Sequence, residues 1–210
     1  MPMSIQVLGV IGGIIANMYG NELNSCYNYA NINANGKVNS NIDIAGIVAR
    51  NSSSLYNLYN AGNVSVTGNI NQVKIGGIGA DASLLSNCIN YGTIMPNNAS
   101  INTLFIGGAC GYSYNGTLNN IYNLGNIEET ENDVTTKYKG LLIGRILNTS
   151  LKDSFYKEQE GELAVGSNDN GVVENIKILD YAINALSIIG ADFKEDTNNI
   201  NNGYPVLIWQ

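Results

Sequence analysis

The sequence predicts an all-β fold: a right-handed parallel β-helix (β-solenoid) of about five coils with a short mixed α/β cap at its C-terminal end. Three observations carry this. A Gly-Gly-aliphatic block recurs five times at a near-constant step, a second aliphatic block follows each copy, and turn formers abound, with 35 Asn and 24 Gly in 210 residues. Hydrophobic residues make up 44% of the chain and come in short runs, enough for one undivided core.

The first block is Gly12–Ala16, then Ala45–Ala49, Gly76–Ala80, Gly107–Gly111 and a degraded Gly140–Gly144; its second position steps by 33, 31, 31 and 33 residues. The second block gives one column of Leu23, Leu55, Leu85, Leu118 and Leu151, and three residues later another of Cys26, Leu58, Cys88, Ile121 and Ser154. Runs of four to six residues ended by Gly or Asn are too short for helices and lack a 3.6-residue period, so each coil reads as short strands. Parallel stacking would place equivalent residues about 4.8 Å apart along the axis. Each coil would then be stable only through its neighbours.

Three further columns follow. Tyr27, Tyr59, Ile89, Tyr122 and Phe155 form a mostly aromatic one. Facing outward, Tyr27, Tyr59 and Tyr122 would be a ligand-facing ribbon suited to sugars or proteins; facing inward they are core, and core or half-buried is the favoured reading. Strict alternation would set the Tyr opposite its neighbours, but the three-residue step from Leu to Cys implies a bulge or bend of unknown place. Next come Asn28, Asn60, Asn90 and Asn123, either a binding ladder or, as favoured, a structural ladder of stacked amides. Then Gly62, Gly92 and Gly125, with Ala30 in the first copy, read as turn glycines at positive φ, a conformation Ala30 would avoid by turning differently. Ile32, Val64, Ile94 and Ile127 complete the repeat. The polar stretches 33–43, 65–75, 95–105 and 128–139 read as variable loops on one side of the stack.

The solenoid is expected over residues 1–157 and the cap over 158–210. Val173, Ile176, Leu179, Ile183 and Leu186 are spaced 3, 3, 4 and 3 apart, predicting a short helix. Asn202-Gly203 signals a turn before a last strand at Val206–Trp209. Capping would stop chains adding end to end through open strand edges. The apolar run Val7–Ala16 is too short to span a bilayer and lacks a basic region before it, so it reads as a first strand. Targeting and anchoring segments, and residues preceding Met1, are expected to lie outside this chain.

The chemistry is sparse. Residues 1–127 carry three acids (Glu22, Asp43, Asp81) and three bases (Lys37, Arg50, Lys74); residues 128–210 carry fourteen and seven, the whole net charge of −7. Without a basic patch, nucleic acid and anionic membranes are poor partners, and no membrane insertion is expected. There is no His, which removes zinc-peptidase motifs and His-activated nucleophiles. Cys26, Cys88 and Cys110 show neither zinc nor disulfide spacing and read as small buried residues. Carboxylate-based glycoside chemistry needs facing acids. Those of the coils are isolated, and the clusters Glu128-Glu129-Glu131-Asp133 and Glu158-Glu160-Glu162 read as solvated loops. No catalytic residue, metal or cofactor is therefore expected.

The pattern of a Gly-Gly-aliphatic block followed by Ser/Asn-Cys-Tyr-Asn-x-Gly-x-Ile/Val, as in Gly12–Ala16 with Ser25–Ile32, Gly76–Ala80 with Asn87–Ile94 and Gly107–Gly111 with Asn120–Ile127, resembles the GLUG-motif repeats of bacterial surface proteins. The stretch Asp192–Gln210 looks like the segment that often closes them. Such repeats occur in adhesin-like proteins and beside catalytic domains such as IgA-specific metallopeptidases, an activity that cannot reside in a chain lacking His. The resemblance implies a non-enzymatic structural or adhesive module, extracellular or cell-surface, with neighbouring domains of a larger parent protein and a host glycan or surface protein as partners. A glycan- or protein-binding accessory role beside a surface enzyme is the alternative, and a carbohydrate-active β-helix the less favoured third.

Overall fold

The computed structural model describes residues 7–130, 133–179, 193–200, 203 and 205–210. It is a β-solenoid of about five turns whose strands stack in parallel, with no helix among the described residues. A six-stranded sheet runs through Val7–Gly12, Ile32–Gly36, Ser40–Ala45, Val64–Gly76, Ile94–Gly107 and Asp133–Gly140. A twelve-stranded sheet forms the rest of the wall, with Val48–Asn60, Gly79–Asn90, Cys110–Tyr114 and Thr117–Asn123 at its centre. The register is the one the repeat predicts: Gly12 pairs with Ala45, then Gly76, Gly107 and Gly140. Leu23, Leu55, Leu85, Leu118 and Leu151 likewise pair in turn.

The step from the Leu to the Cys column is explained by one backbone device. Ser25, Asn57, Asn87, Asn120, Asp153 and Asn175 all sit at positive φ, between 47° and 57°. A left-handed residue turns the strand, so Leu55 and Leu58 both face the interior although three residues separate them. Asn and Asp tolerate this region better than other side chains, which accounts for part of the Asn excess.

The core has two interior parts. One gathers Ile47, Leu55, Leu58, Ile78, Leu85, Cys88, Leu118 and Ile121; the other Ile44, Val66, Ile70, Val73, Ile75, Ile101 and Leu104. The second overturns the loop expectation for 33–43, 65–75, 95–105 and 128–139, which are largely the strands of the six-stranded sheet. Their polar residues alternate with buried Val and Ile, as in a sheet with one face to solvent; they are not loop residues.

The turn glycines are also corrected. Gly62, Gly92 and Gly125 are not at positive φ. They are required by close stacking: a Cβ on Gly92 would lie 2.0 Å from the Gly62 carbonyl oxygen, and one on Gly62 1.9 Å from that of Ala30. Ala30 belongs to the first coil, where no preceding carbonyl stands in its way among the described residues. That coil turns like the others, with Asn28 Nδ2 donating to the Ala30 carbonyl at 2.8 Å as Asn60 Nδ2 does to Gly62.

The helix predicted from Val173 onward is not formed in its described part. Val172–Glu174 and Lys177–Ile178 are strands that stack on Ser150–Lys152 and Phe155–Tyr156, so the stack runs past residue 157. Val173 pairs with Leu151, left-handed Asn175 follows, and Ile176 packs on the interior. The apparent helical spacing is thus the repeat's own three-residue step around a left-handed residue. Ile183 and Leu186 lie outside the described residues, as does Asn202 of the expected turn. Phe193–Lys194 and Val206–Leu207 pair antiparallel. This hairpin packs along the side of the stack.

Candidate functional site

The aromatic column lies on the opposite side of its strands from the interior, and the C-terminal hairpin covers most of it. Tyr59, Ile89, Tyr122 and Phe155 cluster with Leu124, Leu179, Phe193 and Leu207 and are buried. Phe193 stacks on Tyr122 with centroids 5.0 Å apart, and Trp209 stacks on Tyr27 at 5.8 Å. Of the three candidate ligand-facing tyrosines only Tyr27, 55% exposed, reaches solvent; Tyr59 and Tyr122 are 1% and 0% exposed. The column is therefore a further core outside the coil: Tyr59 and Tyr122 are buried, but by the hairpin and not by the coil interior. Burial, reinforced by Tyr29, Tyr91 and Asp196, pushes the Tyr59 hydroxyl up to about 12, and burial alone lifts that of Tyr122 further.

Asn28, Asn60, Asn90 and Asn123 form a continuous ladder. Each Nδ2 donates to the next Oδ1, at 2.9, 2.8 and 2.8 Å, and also to the carbonyl two residues on. These amides are satisfied internally and offer a ligand nothing. They also explain the glycine block: a Cβ on Gly46, Gly77 or Gly108 would lie 2.3, 2.1 or 2.1 Å from the amide of Asn60, Asn90 or Asn123.

Across each Gly-Gly corner the two sheets bring together a pair of side chains seven residues apart. In the six-stranded sheet Asp43, Lys74, Phe105 and Tyr138 are in register. Opposite them run Arg50, Asp81, Tyr112 and Arg145. Arg50 Nε donates to buried Asp43, and Lys74 to Asp81. Phe105 stacks on Tyr138 at 5.0 Å and meets Tyr112 at 5.4 Å. Lys74 Nζ lies 4.7 Å from the Tyr112 ring centre, and the Arg145 guanidinium 4.8 Å from that of Tyr138. Burial lifts the Asp43 carboxyl above its ordinary range, although Lys74 and Arg50 oppose the rise.

Along this row opens a cleft of about 350 Å³ lined by Tyr19, Arg50, Asn51, Ser52, Asp81, Ser83, Tyr112 and Tyr114. A β-bulge sets it: the pairing of Val48–Asn60 with Gly79–Asn90 slips between Asn51 and Ser54. Buried Asn51 pins the bulge by accepting from the Ser53 amide at 2.8 Å and donating to its carbonyl. Of these residues the sequence set apart only Arg50 and Asp81, as isolated charges. The usable signal was the seven-residue offset (43/50, 74/81, 105/112, 138/145) recurring at the repeat step.

Further ion pairs form in the later coils. Glu129, expected in a solvated loop, is largely shielded between Lys137 at 2.8 Å and Lys139 at 3.1 Å, which hold its carboxyl below its ordinary range against burial. Lys139 also meets Glu162, Arg145 meets Asp169, and Lys152 meets Glu174, each at 2.6–2.7 Å. Cys88 and Cys110 are buried free thiols pushed up to about 12, while Cys26 is partly exposed. Among the described residues no three Cys, Asp or Glu gather as metal ligands. Comparison with protein-family models, with curated proteins and with solved structures finds no match to this chain.

Proposed function

We infer that the chain is a non-enzymatic structural module of a bacterial cell-surface or secreted protein, a stiff stalk segment that holds neighbouring domains of a larger parent protein apart. The observation that carries this reading is the continuity of contact between coils. Backbone ladders, the Asn ladder and the aromatic column all run along the axis, so bending would stretch hydrogen bonds at every coil interface. The carboxylates add support, because Asp43, Asp81, Glu129, Glu162, Asp169 and Glu174 each sit in an ion pair with a base, whereas glycoside cleavage needs two carboxyls facing across a substrate. The resemblance of the repeat to the GLUG-motif family supports the exported location.

Two measurements test this. Antibodies against the chain should label intact cells of the source bacterium, and labelling only after permeabilisation would refute the surface assignment. Incubation with a panel of host and bacterial polysaccharides should release no new reducing ends or unsaturated products. Release that disappears in Asp81→Asn would overturn the non-enzymatic reading. A second role, glycan binding, is favoured by the tyrosine-walled cleft.

A further inference from the structure

We propose that the cleft between Tyr19 and Tyr114 is a binding subsite for a neutral oligosaccharide laid along the solenoid axis. The proposal goes beyond the stalk reading and does not depend on it. In the twelve-stranded sheet Asn17, Arg50, Asp81 and Tyr112 are in register on successive coils. Two residues further along the chain come Tyr19, just past the end of its strand, and Ser52, Ser83 and Tyr114, and all four line the cleft. Tyr19 and Tyr114 therefore stand three coils apart, about 14 Å at about 4.8 Å per coil, with the two small serines between them. The two rings are 70% and 47% exposed, while the Tyr112 ring lies under the Lys74 ammonium at 4.7 Å. Two aromatic walls and a low polar floor form an open trough.

The floor selects the ligand class. Arg50 is bonded to Asp43 and Asp81 to Lys74, so both signs of charge are present and neutralised within the protein. A sulfated or sialylated chain would find no uncompensated cation there, whereas sugar hydroxyls can use the guanidinium and the Ser52 hydroxyl as donors and the carboxylate and the Ser83 oxygen as acceptors, the Ser83 proton being given to the Tyr114 carbonyl at 3.0 Å. The bulge pushes Ser52 outward, leaving it exposed at the mouth. An adjoining hollow of about 460 Å³ shares Ser52 and is lined by Gly20, Asn21, Glu22 and Ser53, whose buried hydroxyl has no partner among the described residues. An extended peptide is disfavoured along most of the trough, because Val48–Asn60, Gly79–Asn90 and Cys110–Tyr114 are paired on both sides; among the described residues only Ile15–Met18, at the Tyr19 end, is paired on one side. Recognition must come from rings and side-chain polar groups, which is how a pyranose with apolar faces and hydroxyl edges is held.

The test is an array of neutral, sialylated and sulfated oligosaccharides probed with the full chain, followed by calorimetric titration of the strongest ligand. The expected result is preferential binding of a neutral oligosaccharide, weakened at least about tenfold by Tyr114→Ala and by Ser52→Trp, which fills the floor from an exposed position. Tyr27→Ala, outside the cleft, should leave affinity unchanged, and circular dichroism should show all three variants folded. Absence of neutral-glycan binding at millimolar ligand would overturn the proposal, as would exclusive binding of acidic glycans or equal affinity in the cleft variants. Such a failure leaves the stalk reading standing, since that reading falls only on cell labelling or product release.

Discussion

Replacing Asn90 by Ala tests the ladder at its middle. Asn90 is fully buried and takes part in three side-chain hydrogen bonds: it accepts from Asn60 and donates to Asn123 and to the Gly92 carbonyl. At about 1 kcal/mol net for each, the loss comes to about 3 kcal/mol, with more to come from the stranded Asn123 Oδ1 and Gly92 carbonyl. The vacated amide also leaves a gap against Gly77, whose missing Cβ had made room for it. For a domain of this size about 3 kcal/mol lowers the melting temperature by roughly 6–12 °C. Asn123, at the end of the ladder, makes two such bonds, so Asn123→Ala should cost about 2 kcal/mol. Urea and thermal denaturation followed by circular dichroism give the single-variant values, and the Asn90→Ala/Asn123→Ala double variant gives the coupling. The two changes share a bond, so their effects should be less than additive. Strict additivity, or a loss under about 0.5 kcal/mol for Asn90→Ala, would refute the claim that the amides bond one another across coils.

Four further outcomes are expected. Gly92→Ala should destabilise by about 1–3 kcal/mol or more, because its Cβ meets the Gly62 carbonyl and not because of φ; a neutral result by urea melting contradicts the stacking account. Leu85→Asp should abolish cooperative unfolding by placing an unpaired charge in the interior column; a soluble variant with unchanged melting temperature means Leu85 faces elsewhere. Tyr59 rises from the ordinary 10 to about 12 on folding, so its contribution to stability is fully present below pH 10 and is lost as pH climbs through 12. Tyr59→Phe should flatten the alkaline fall in stability relative to the parent, and an unchanged slope means the hairpin does not cover it. In a thiol-reagent titration of the native protein at pH 8, Cys26 should react first and Cys88 and Cys110 only on unfolding; equal rates would deny the burial of the latter two.

The repeat period by itself determined which residues of successive coils meet. In a parallel stack, residues one period apart are hydrogen-bonded neighbours, so the columns from Leu23 to Leu151 and from Asn28 to Asn123 could be read directly as contacts. The period is silent about contacts within one coil, because these depend on the angles at the corners. Left-handed Asn57 and its equivalents set those angles, and their three-residue step at Val173–Ile176 imitated a helix. Only the tertiary structure therefore decided that Gly77 packs on Asn90, that Asp43 meets Arg50, and that the stretches 65–75 and 95–105 are core strands. The same holds for the aromatic column. Tyr59 and Tyr122 face away from the coil interior, yet a hairpin about seventy residues beyond Tyr122 buries them, a contact with no repeat to announce it. The cleft stayed hidden for a related reason: Tyr19, Ser52, Ser83 and Tyr114 change from Tyr to Ser and back to Tyr along the stack, so no single residue type makes a column to find.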